Sequence, residues 1–214
     1  MVATNERRAR EKARRRQEIL QAAKEVFFEQ GFHQATVDDV AAHAQVSKGT
    51  IYLYFESKES ILAHLLLEGL ALLYTQLTAA CSASQVTAEE CLWRLARAYL
   101  DFSQNNPQYF RLMMAFDRGR FREQISPDLY EQILSQSMAS LDLVTQTVRQ
   151  GIQDGDFDCD DPRLAAGALW AALNGVLVLM ANPLRRQMLG VELEPMFEVT
   201  MNLVIRGLRR PANR

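Results

Sequence analysis

Apolar residues recur at intervals of three and four along most of the 214-residue chain, which is the spacing of one helix face. The first run extends from about Arg15 to Phe27, and Gly31 follows it as a helix stop signal. Further runs predict helices near residues 37–44, 47–55, 57–77, 91–104, 107–121, 128–153, 162–181 and 195–209. No pair of alternating segments around a tight turn indicates a β-hairpin. The pattern therefore predicts an all-α fold of about nine helices.

The segment IYLYF, from Ile51 to Phe55, alternates aliphatic and aromatic residues and taken alone is typical of a β-strand. A lone strand among helices would leave its backbone hydrogen-bonding groups unpaired, whereas Ser47 supplies a helix N-cap. We therefore predict a helix in which Ile51 and Phe55 share the buried side, because helical residues four apart lie on one face. The outward side then carries Gly49, Thr50, Tyr52 and Leu53.

This helix follows another short one, whose start at Thr36 has Asp39 in the position of a capping-box acid. Two short helices joined by a tight turn are typical of a helix-turn-helix, which places its second helix in the major groove of DNA. Gly49 would let the backbone approach a base or phosphate closely, and Leu53 could touch a thymine methyl. Phosphate oxygens would accept hydrogen bonds from the side chains of Thr50, Tyr52, Lys48 and Lys58.

Charge is nearly balanced overall, with 24 basic and 26 acidic residues, but it is unevenly distributed. Residues 1–16 contain seven basic and two acidic side chains, a net charge of +5 against −7 for the remainder. A cationic arm on an acidic body attracts polyanions, although a solvated, frayed terminus is the alternative interpretation. The charged start also lacks the apolar run of a secretion signal.

The three cysteines, Cys81, Cys91 and Cys159, are odd in number and show no CxxC spacing. They predict neither a disulfide framework nor a zinc knuckle, and a reducing cytoplasm is the expected location. The acidic loop DGDFDCDD is not an EF-hand, because Cys159 replaces the required Gly and Ala165 replaces the final Glu. Since His33, His43 and His64 are dispersed, no metal site is predicted, and no cofactor.

The run EILQAAKEVFFEQGFHQATVDDVAAHAQVSKGTIYLYFESKESIL resembles the DNA-binding domain of the TetR family of bacterial one-component regulators. The resemblance covers about Arg15 to Leu62 and includes a G-F turn, T-V-x-x-V-A, and S-K-G-T-I-Y-x-Y-F-x-S-K-E. It implies that Gly49 and Leu53 lie nearest the bases. Tyr54 stands where the family often has His, and the alternative is that both motif tyrosines pack as aromatic core. The phosphate contacts that it implies come from Thr36, Lys48, Thr50, Tyr52, Tyr54 and Lys58.

The charge distribution sets apart a basic arm (1–14), and the resemblance implies a helix-turn-helix domain (15–60) and an effector-binding and dimerisation domain (61–214). We expect the arm to reach a minor groove or an adjacent run of phosphates. Because aromatic and Met side chains form adaptable apolar pockets, we predict a mainly apolar ligand, although a plain core would use the same residues. The candidates are Trp93, Tyr99, Phe102, Phe110, Met113, Met114, Phe116 and Phe121.

The segment from Leu164 to Leu184 has no charge and reaches the length of a membrane span. Its many small residues, with Asn174 and Pro183, favour a helix buried against protein instead. In the family that the chain resembles, the last two helices form a four-helix dimer interface, which here runs from Leu164 to Ala181 and from Met196 to Leu208. Dimerisation would present two recognition helices to half-sites about 34 Å apart, or a multiple of that.

The chain has no GxSxG, no phosphate-cradling glycine loop and no catalytic triad signature, so we predict that it is not an enzyme. The predicted function is that of a cytoplasmic, homodimeric DNA-binding regulator, which in this family is most often a repressor. A small ligand would release it from its operator. The alternatives are a helical ligand-binding or enzymatic protein that retains the motif as scaffold, and a membrane-attached protein.

Overall fold

A computed structural model describes residues 2–81, 86–116 and 122–209, with side chains described from residue 6 onward. These residues form ten α-helices and one 3₁₀ turn, Arg122–Gln124. They contain no strand, and one isolated bridge joins Phe157 to Arg209. The predicted all-α class is therefore confirmed. The helices are α1 (Val2–Gln30), α2 (Val37–His43), α3 (Lys48–Tyr52), α4 (Lys58–Ala80), α5 (Ala88–Asn105), α6 (Pro107–Phe116), α7 (Pro127–Asp154), α8 (Pro162–Met180), α9 (Pro183–Leu189) and α10 (Leu193–Leu208).

Helix α1 begins at Val2, although the apolar pattern predicts a helix only from about Arg15. Its added turns are rich in Arg, Lys, Glu and Ala, which favour a helix without forming an apolar face. Arg14 and Glu18 form an ion pair across one turn, as residues four apart on a helix can. The basic N-terminal segment is thus a helical extension of α1.

Helix α9 was not predicted, because it is short and has no buried stripe that the sequence pattern could reveal. Its ends are nevertheless encoded locally. The Asn182 side chain accepts hydrogen bonds from the backbone N–H groups of Leu184 and Arg185. Gly190 ends the helix in the left-handed conformation with φ of 66°, which glycine adopts without steric cost.

The first compact unit comprises residues 2–70 with the described part of 108–134. Its core contains fully buried side chains from α1 and α4, such as Ile19, Phe27 and Ile61. Leu112 of α6 and Ile125 belong to the same apolar cluster. The core of the unit is therefore built from α1 to α4 together with α6 and the first part of α7.

The second compact unit comprises residues 71–107 and 135–209, without the undescribed residues 82–85. It contains the last part of α4, the helices α5, α8, α9 and α10, and the remaining part of α7. Phe102 of α5 and Phe197 of α10 are almost completely buried. Phe157 is also buried and lies against Gly151 of α7, where a Cβ would come within 2.2 Å of the ring. The glycine at that position allows the ring to pack on the helix backbone.

Cys81 and Cys91 are joined by a disulfide, with 5.6 Å between their Cα atoms. The prediction that the sequence contains no disulfide is therefore wrong. The bond joins the residue that follows α4, which ends at Ala80, to the first turn of α5, which begins at Ala88. Counting cysteines and searching for CxxC cannot detect a pairing that depends on how these two helices are placed. Cys159 is free.

Helices α4 and α8 are long and apolar enough to cross a membrane by length and composition. Half of the most apolar window of α4 and a third of that of α8 are nevertheless buried inside the protein. Ile61, Leu65 and Leu70 of α4 lie in the core of the first unit. Burial of this kind is what a core helix of a globular protein shows.

Candidate nucleic-acid interface

The two helices of the helix-turn-helix each begin at a local N-cap. Asp39 donates its backbone N–H to the hydroxyl oxygen of Thr36 at 3.3 Å, and the Asp39 carboxylate accepts the Thr36 backbone N–H at 2.8 Å. Two hydrogen bonds to the Asp39 carboxylate, from the Thr36 hydroxyl and from the Thr36 backbone N–H, lower the pKa of the Asp39 carboxyl group. Ser47 caps the next helix by accepting the backbone N–H of Thr50 at 3.1 Å. The capping box and the N-cap are where the sequence predicts them.

The recognition helix is shorter than predicted. Helix α3 ends at Tyr52, and the rest of the IYLYF segment continues in tight turns, with the Tyr54 and Phe55 N–H groups bonded to the Ile51 carbonyl oxygen. The interpretation of the segment as a continuous helix was therefore wrong beyond Tyr52. The predicted division between inside and outside is confirmed, because Ile51 and Phe55 are buried while Leu53 is exposed.

Three residues of the motif present an open surface. The Leu53 side chain is 76% exposed and the Tyr52 side chain is 48% exposed, and Gly49 beside them is also exposed. A Cβ on Gly49 would meet only the Ser47 hydroxyl oxygen, at 3.7 Å. The fold of this chain therefore does not require glycine at position 49. A surface that must approach another molecule closely would require it.

The other predicted contact residues are partly engaged within the protein. Tyr54 is half-buried and packs on the apolar core of the first unit. The Lys58 ammonium lies 5.9 Å from the centroid of the Phe27 ring. Lys48 forms an ion pair with Asp38 at 2.8 Å, and their hydrogen bond raises the pKa of the lysine. Of the two motif tyrosines, Tyr52 is therefore the more exposed.

A polar contact behind the motif was not visible in the sequence. Arg16 of α1 donates a hydrogen bond to the His64 Nε2 atom of α4 at 2.7 Å, so this ring nitrogen carries no proton. The same guanidinium lies 4.9 Å from the centroid of the Phe55 ring, and the His64 ring meets that ring edge-on. Burial, with the positive charge of Arg16, lowers the pKa of His64 to about 4.

A second cluster joins α1, α4 and α6. The Glu68 carboxylate accepts hydrogen bonds from Lys24 at 2.6 Å and from the Tyr109 hydroxyl at 2.5 Å. Burial and the hydrogen bond to Glu68 raise the pKa of Tyr109 to about 12. Burial would lower the pKa of Lys24, but its hydrogen bonds to Glu68 and Tyr109 outweigh that effect and raise it. The three residues of this cluster are far apart along the chain, so the sequence could not predict that they meet.

The predicted effector residues fall in both units, and Phe121 lies outside the described residues. In the second unit, Tyr99 and Phe102 are buried, and the Tyr99 hydroxyl donates a hydrogen bond to the Asn174 side-chain oxygen at 2.6 Å. Trp93 meets Phe197 edge-on. In the first unit, Phe110 is buried and the remaining three, Met113, Met114 and Phe116, are partly buried.

The second unit has a surface groove of about 720 Å³ beside Trp93. Its other walls include Glu89, Glu90, Asp156 and Arg209, so most of its named side chains are charged. Arg209 and Glu89 form an ion pair at 2.6 Å across it. This groove does not match the mainly apolar ligand that the sequence predicts.

Two polar atoms on α7 could not be found from the sequence. The side-chain oxygens of Gln136 and Ser140 are both buried and have no hydrogen-bond partner. The two residues lie four apart and therefore on one face of the helix. An unsatisfied buried polar group costs about 1–3 kcal/mol. No group of three His, Cys, Asp or Glu side chains in the described ranges could hold a metal ion.

Two family models match the chain. Residues 19–65 match "Bacterial regulatory proteins, tetR family", and residues 92–204 match "Tetracyclin repressor-like, C-terminal domain". Together they cover the motif and most of the second unit.

Curated relatives agree with this assignment. The fatty acid metabolism regulator protein of Bacillus subtilis (strain 168) is 51% identical over 51 residues, which are 24% of this chain and 26% of that protein. The chain thus matches only about a quarter of that relative's length. The uncharacterized HTH-type transcriptional regulator YfiR of the same organism is 24% identical over 176 residues, covering 78% of this chain and 80% of the relative.

The fold is also that of a solved regulator. The crystal structure of the transcriptional regulator FadR from Bacillus subtilis in complex with stearoyl-CoA superimposes with a TM-score of 0.66. It covers 90% of this chain and 99% of that one at 24% sequence identity. At this identity the likeness concerns the fold alone.

Proposed function

Because the chain belongs to the TetR family and is a DNA-binding transcriptional regulator, we propose that it acts in the cytoplasm as a homodimeric repressor. Each copy places α3 in the major groove of one operator half-site. A small, mainly apolar ligand releases the operator.

The exposed pair of Tyr52 and Leu53 is the observation that carries the DNA contact. Exposing most of Leu53 and about half of Tyr52 at the end of α3 gains nothing for folding, because that surface stays in contact with water. In the major groove, the Tyr52 hydroxyl donates to a phosphate oxygen and Leu53 lies against a base edge. Thr36, Lys48, Thr50, Tyr54 and Lys58 supply further phosphate contacts, the lysines after exchanging their internal contacts for the phosphates.

The dimer forms through α8 and α10. Exposed residues form one stripe along α8 at intervals of three and four, namely Leu164, Ala168, Ala171, Gly175 and Val178. Small residues in this stripe would let a second helix approach closely. Val199 and Leu203 form a matching exposed pair on α10. Apolar faces of this kind on a soluble protein indicate an interface, and a four-helix bundle of two copies would cover them.

The ligand is mainly apolar, and its candidate contacts in the second unit are Trp93, Tyr99 and Phe102. The other candidates, Phe110, Met113, Met114 and Phe116, belong to the first unit. Support comes from FadR of Bacillus subtilis, which was solved with stearoyl-CoA, a molecule with a long apolar chain. Gln136 and Ser140 would take the polar part of the ligand, because their buried oxygens have no other partner. Helix α4 would transmit the change by altering the spacing of the two recognition helices.

The experiment is a comparison of operator binding by Tyr52→Phe and by a matched control. An operator is first recovered by selection from fragmented DNA, and affinity is measured by fluorescence anisotropy. Loss of a hydrogen bond to a charged group costs about 1.5–3 kcal/mol, so Tyr52→Phe weakens binding roughly tenfold or more. Tyr74→Phe removes a hydroxyl from an exposed tyrosine on α4, outside the motif, and leaves affinity unchanged.

Equal affinities of the wild type and Tyr52→Phe would refute the assigned orientation of α3. In the same assay, long-chain acyl-CoA releases the operator while a charged compound without an acyl chain does not. Release by the charged compound alone would refute an apolar effector and leave the DNA-binding assignment intact.

A further inference from the structure

Helix α9 is unusual because none of its residues is buried by the described part of the chain. Every residue from Ala181 to Glu192, which includes the whole of α9, is exposed. Isolated helices shorter than about 12–15 residues are marginal in water, and protein helices gain most of their stability from packing. A helix of seven residues with no buried side chain therefore needs a surface that this chain does not supply.

The helix also carries an apolar face. Leu184 and Met188 lie one turn apart on the same side and are 65% and 77% exposed. Leu189 and Val191 add further exposed apolar surface at its C-terminal end. The caps at Asn182 and Gly190 specify a helix, so the sequence encodes both the helix and an uncovered face.

The number of exposed residues on α8 and α10 indicates that the dimer interface includes a further segment, which α9 can supply. Seven residues of α8 and eight of α10 are exposed, whereas a specific interface of standard size uses about 20–30 residues on each side. The twelve exposed residues around α9 bring the surface into that range. They are joined to α8 and α10 by connections of only a few residues, so the three exposed segments follow one another along the chain.

The segment that contains α9 and the start of α10 carries both basic and acidic side chains. Arg185 and Arg186 lie on α9, and Glu192 and Glu198 lie just after it and on α10. In a two-fold symmetric dimer the same surface meets itself, so basic and acidic groups on one segment can each face the opposite charge of the partner. A self-complementary segment favours a second copy of this chain over an unrelated protein.

We propose that α9 docks on the second copy of the chain and extends the α8–α10 dimer interface. This inference rests on the proposed homodimer, but it adds a segment that the two-helix interface does not include. The docked face consists of Leu184, Met188 and Leu189, with Arg185 and Arg186 at its rim.

The test is the dimer dissociation constant of Met188→Glu, measured by sedimentation equilibrium. Burying an exposed Met side chain is worth about 1.5–3 kcal/mol, so the variant weakens dimerisation roughly tenfold or more. Gln187→Glu places the same charge on the neighbouring exposed residue and changes the constant less than about twofold. Leu203→Glu, on α10, disrupts the two-helix interface itself.

The outcomes separate the two proposals. If Leu203→Glu weakens the dimer while Met188→Glu matches Gln187→Glu, the role of α9 is overturned and the proposed dimer stands. If the wild type is monomeric at micromolar concentration, both fail.

Hydrogen exchange gives a second readout that does not depend on a variant. Backbone amides of α9 are protected in the dimer and exchange freely when the wild type is diluted to monomer. Equal exchange at both concentrations would overturn the inference.

Discussion

His64 links the stability of the first unit to pH. Its ring lies half-buried between Arg16 and Phe55, and its Nε2 atom accepts the Arg16 hydrogen bond. Protonation would break this bond and place two positive charges 2.7 Å apart. The pKa of His64 is therefore lowered from 6.5 to about 4, by burial first and by Arg16 second.

The direction of the effect follows from this lowered pKa. As pH falls from 6.5 to about 4, the unfolded chain binds a proton at His64 that the folded protein excludes. Acidification therefore favours unfolding in this window, and the stability is fully present above pH 6.5. The full pKa difference would correspond to about 3 kcal/mol, but the ring is partly exposed, so solvent screening reduces the expected loss to about 1–2 kcal/mol.

The assay is urea unfolding of the wild type and His64→Gln at pH 7 and pH 4.5, followed by far-ultraviolet circular dichroism. Gln keeps an acceptor for Arg16 but does not titrate, so the difference between the two proteins shrinks by about 1–2 kcal/mol at the lower pH. His33→Gln removes an exposed histidine from the same unit and serves as the control. If the wild type and His64→Gln lose stability in parallel, the proposed contact with Arg16 does not control the titration.

Two further predictions test the arm and the packing of the second unit. Deleting residues 1–14 removes a net charge of about +3. The deletion weakens binding at all DNA sequences alike. It also flattens the slope of log affinity against log salt concentration by about 0.9 per lost phosphate contact. An unchanged salt slope rules out contact between the arm and DNA. Gly151→Ala destabilises the protein by about 1–3 kcal/mol, because its Cβ would lie 2.2 Å from the Phe157 ring. At Gly167 nothing lies within 4 Å of the added Cβ, so Gly167→Ala stabilises the protein by about 0.5–1 kcal/mol. If urea unfolding shows that the unfolding free energy changes in the same direction in both variants, this reasoning is wrong.

The motif could be predicted from the sequence because its determinants are local. Thr36 and Ser47 cap their helices through residues three positions away, and Ile51 and Phe55 face inward because of their spacing. The end of α3 at Tyr52 was missed for a related reason. One helical turn followed by tight turns also places residues four apart on the same side of the chain. The spacing of Ile51 and Phe55 therefore does not fix where the helix stops.

The features that the sequence did not reveal depend on contacts between distant residues. Arg16 and His64 are 48 positions apart, and Lys24 and Glu68 are 44 apart. Cys81 follows α4 and Cys91 lies in the first turn of α5, and no cysteine pattern records that these two positions pair. Helix α9 lacks an internal partner, so no apolar stripe facing a core existed to predict it.

The cluster of Lys24, Glu68 and Tyr109 is better explained by positioning than by stability. A partly buried ion pair contributes little net stability, because desolvation offsets the attraction between the charges. Its geometry is nevertheless tightly defined. Gly69 leaves no room for a Cβ, which would lie 2.7 Å from the Tyr109 ring, so α6 packs directly on the backbone of α4. Since α4 begins at Lys58, directly after the motif, the cluster fixes the direction of α4 relative to α1. A change that moved Tyr109 would therefore disturb the helix on which the motif depends.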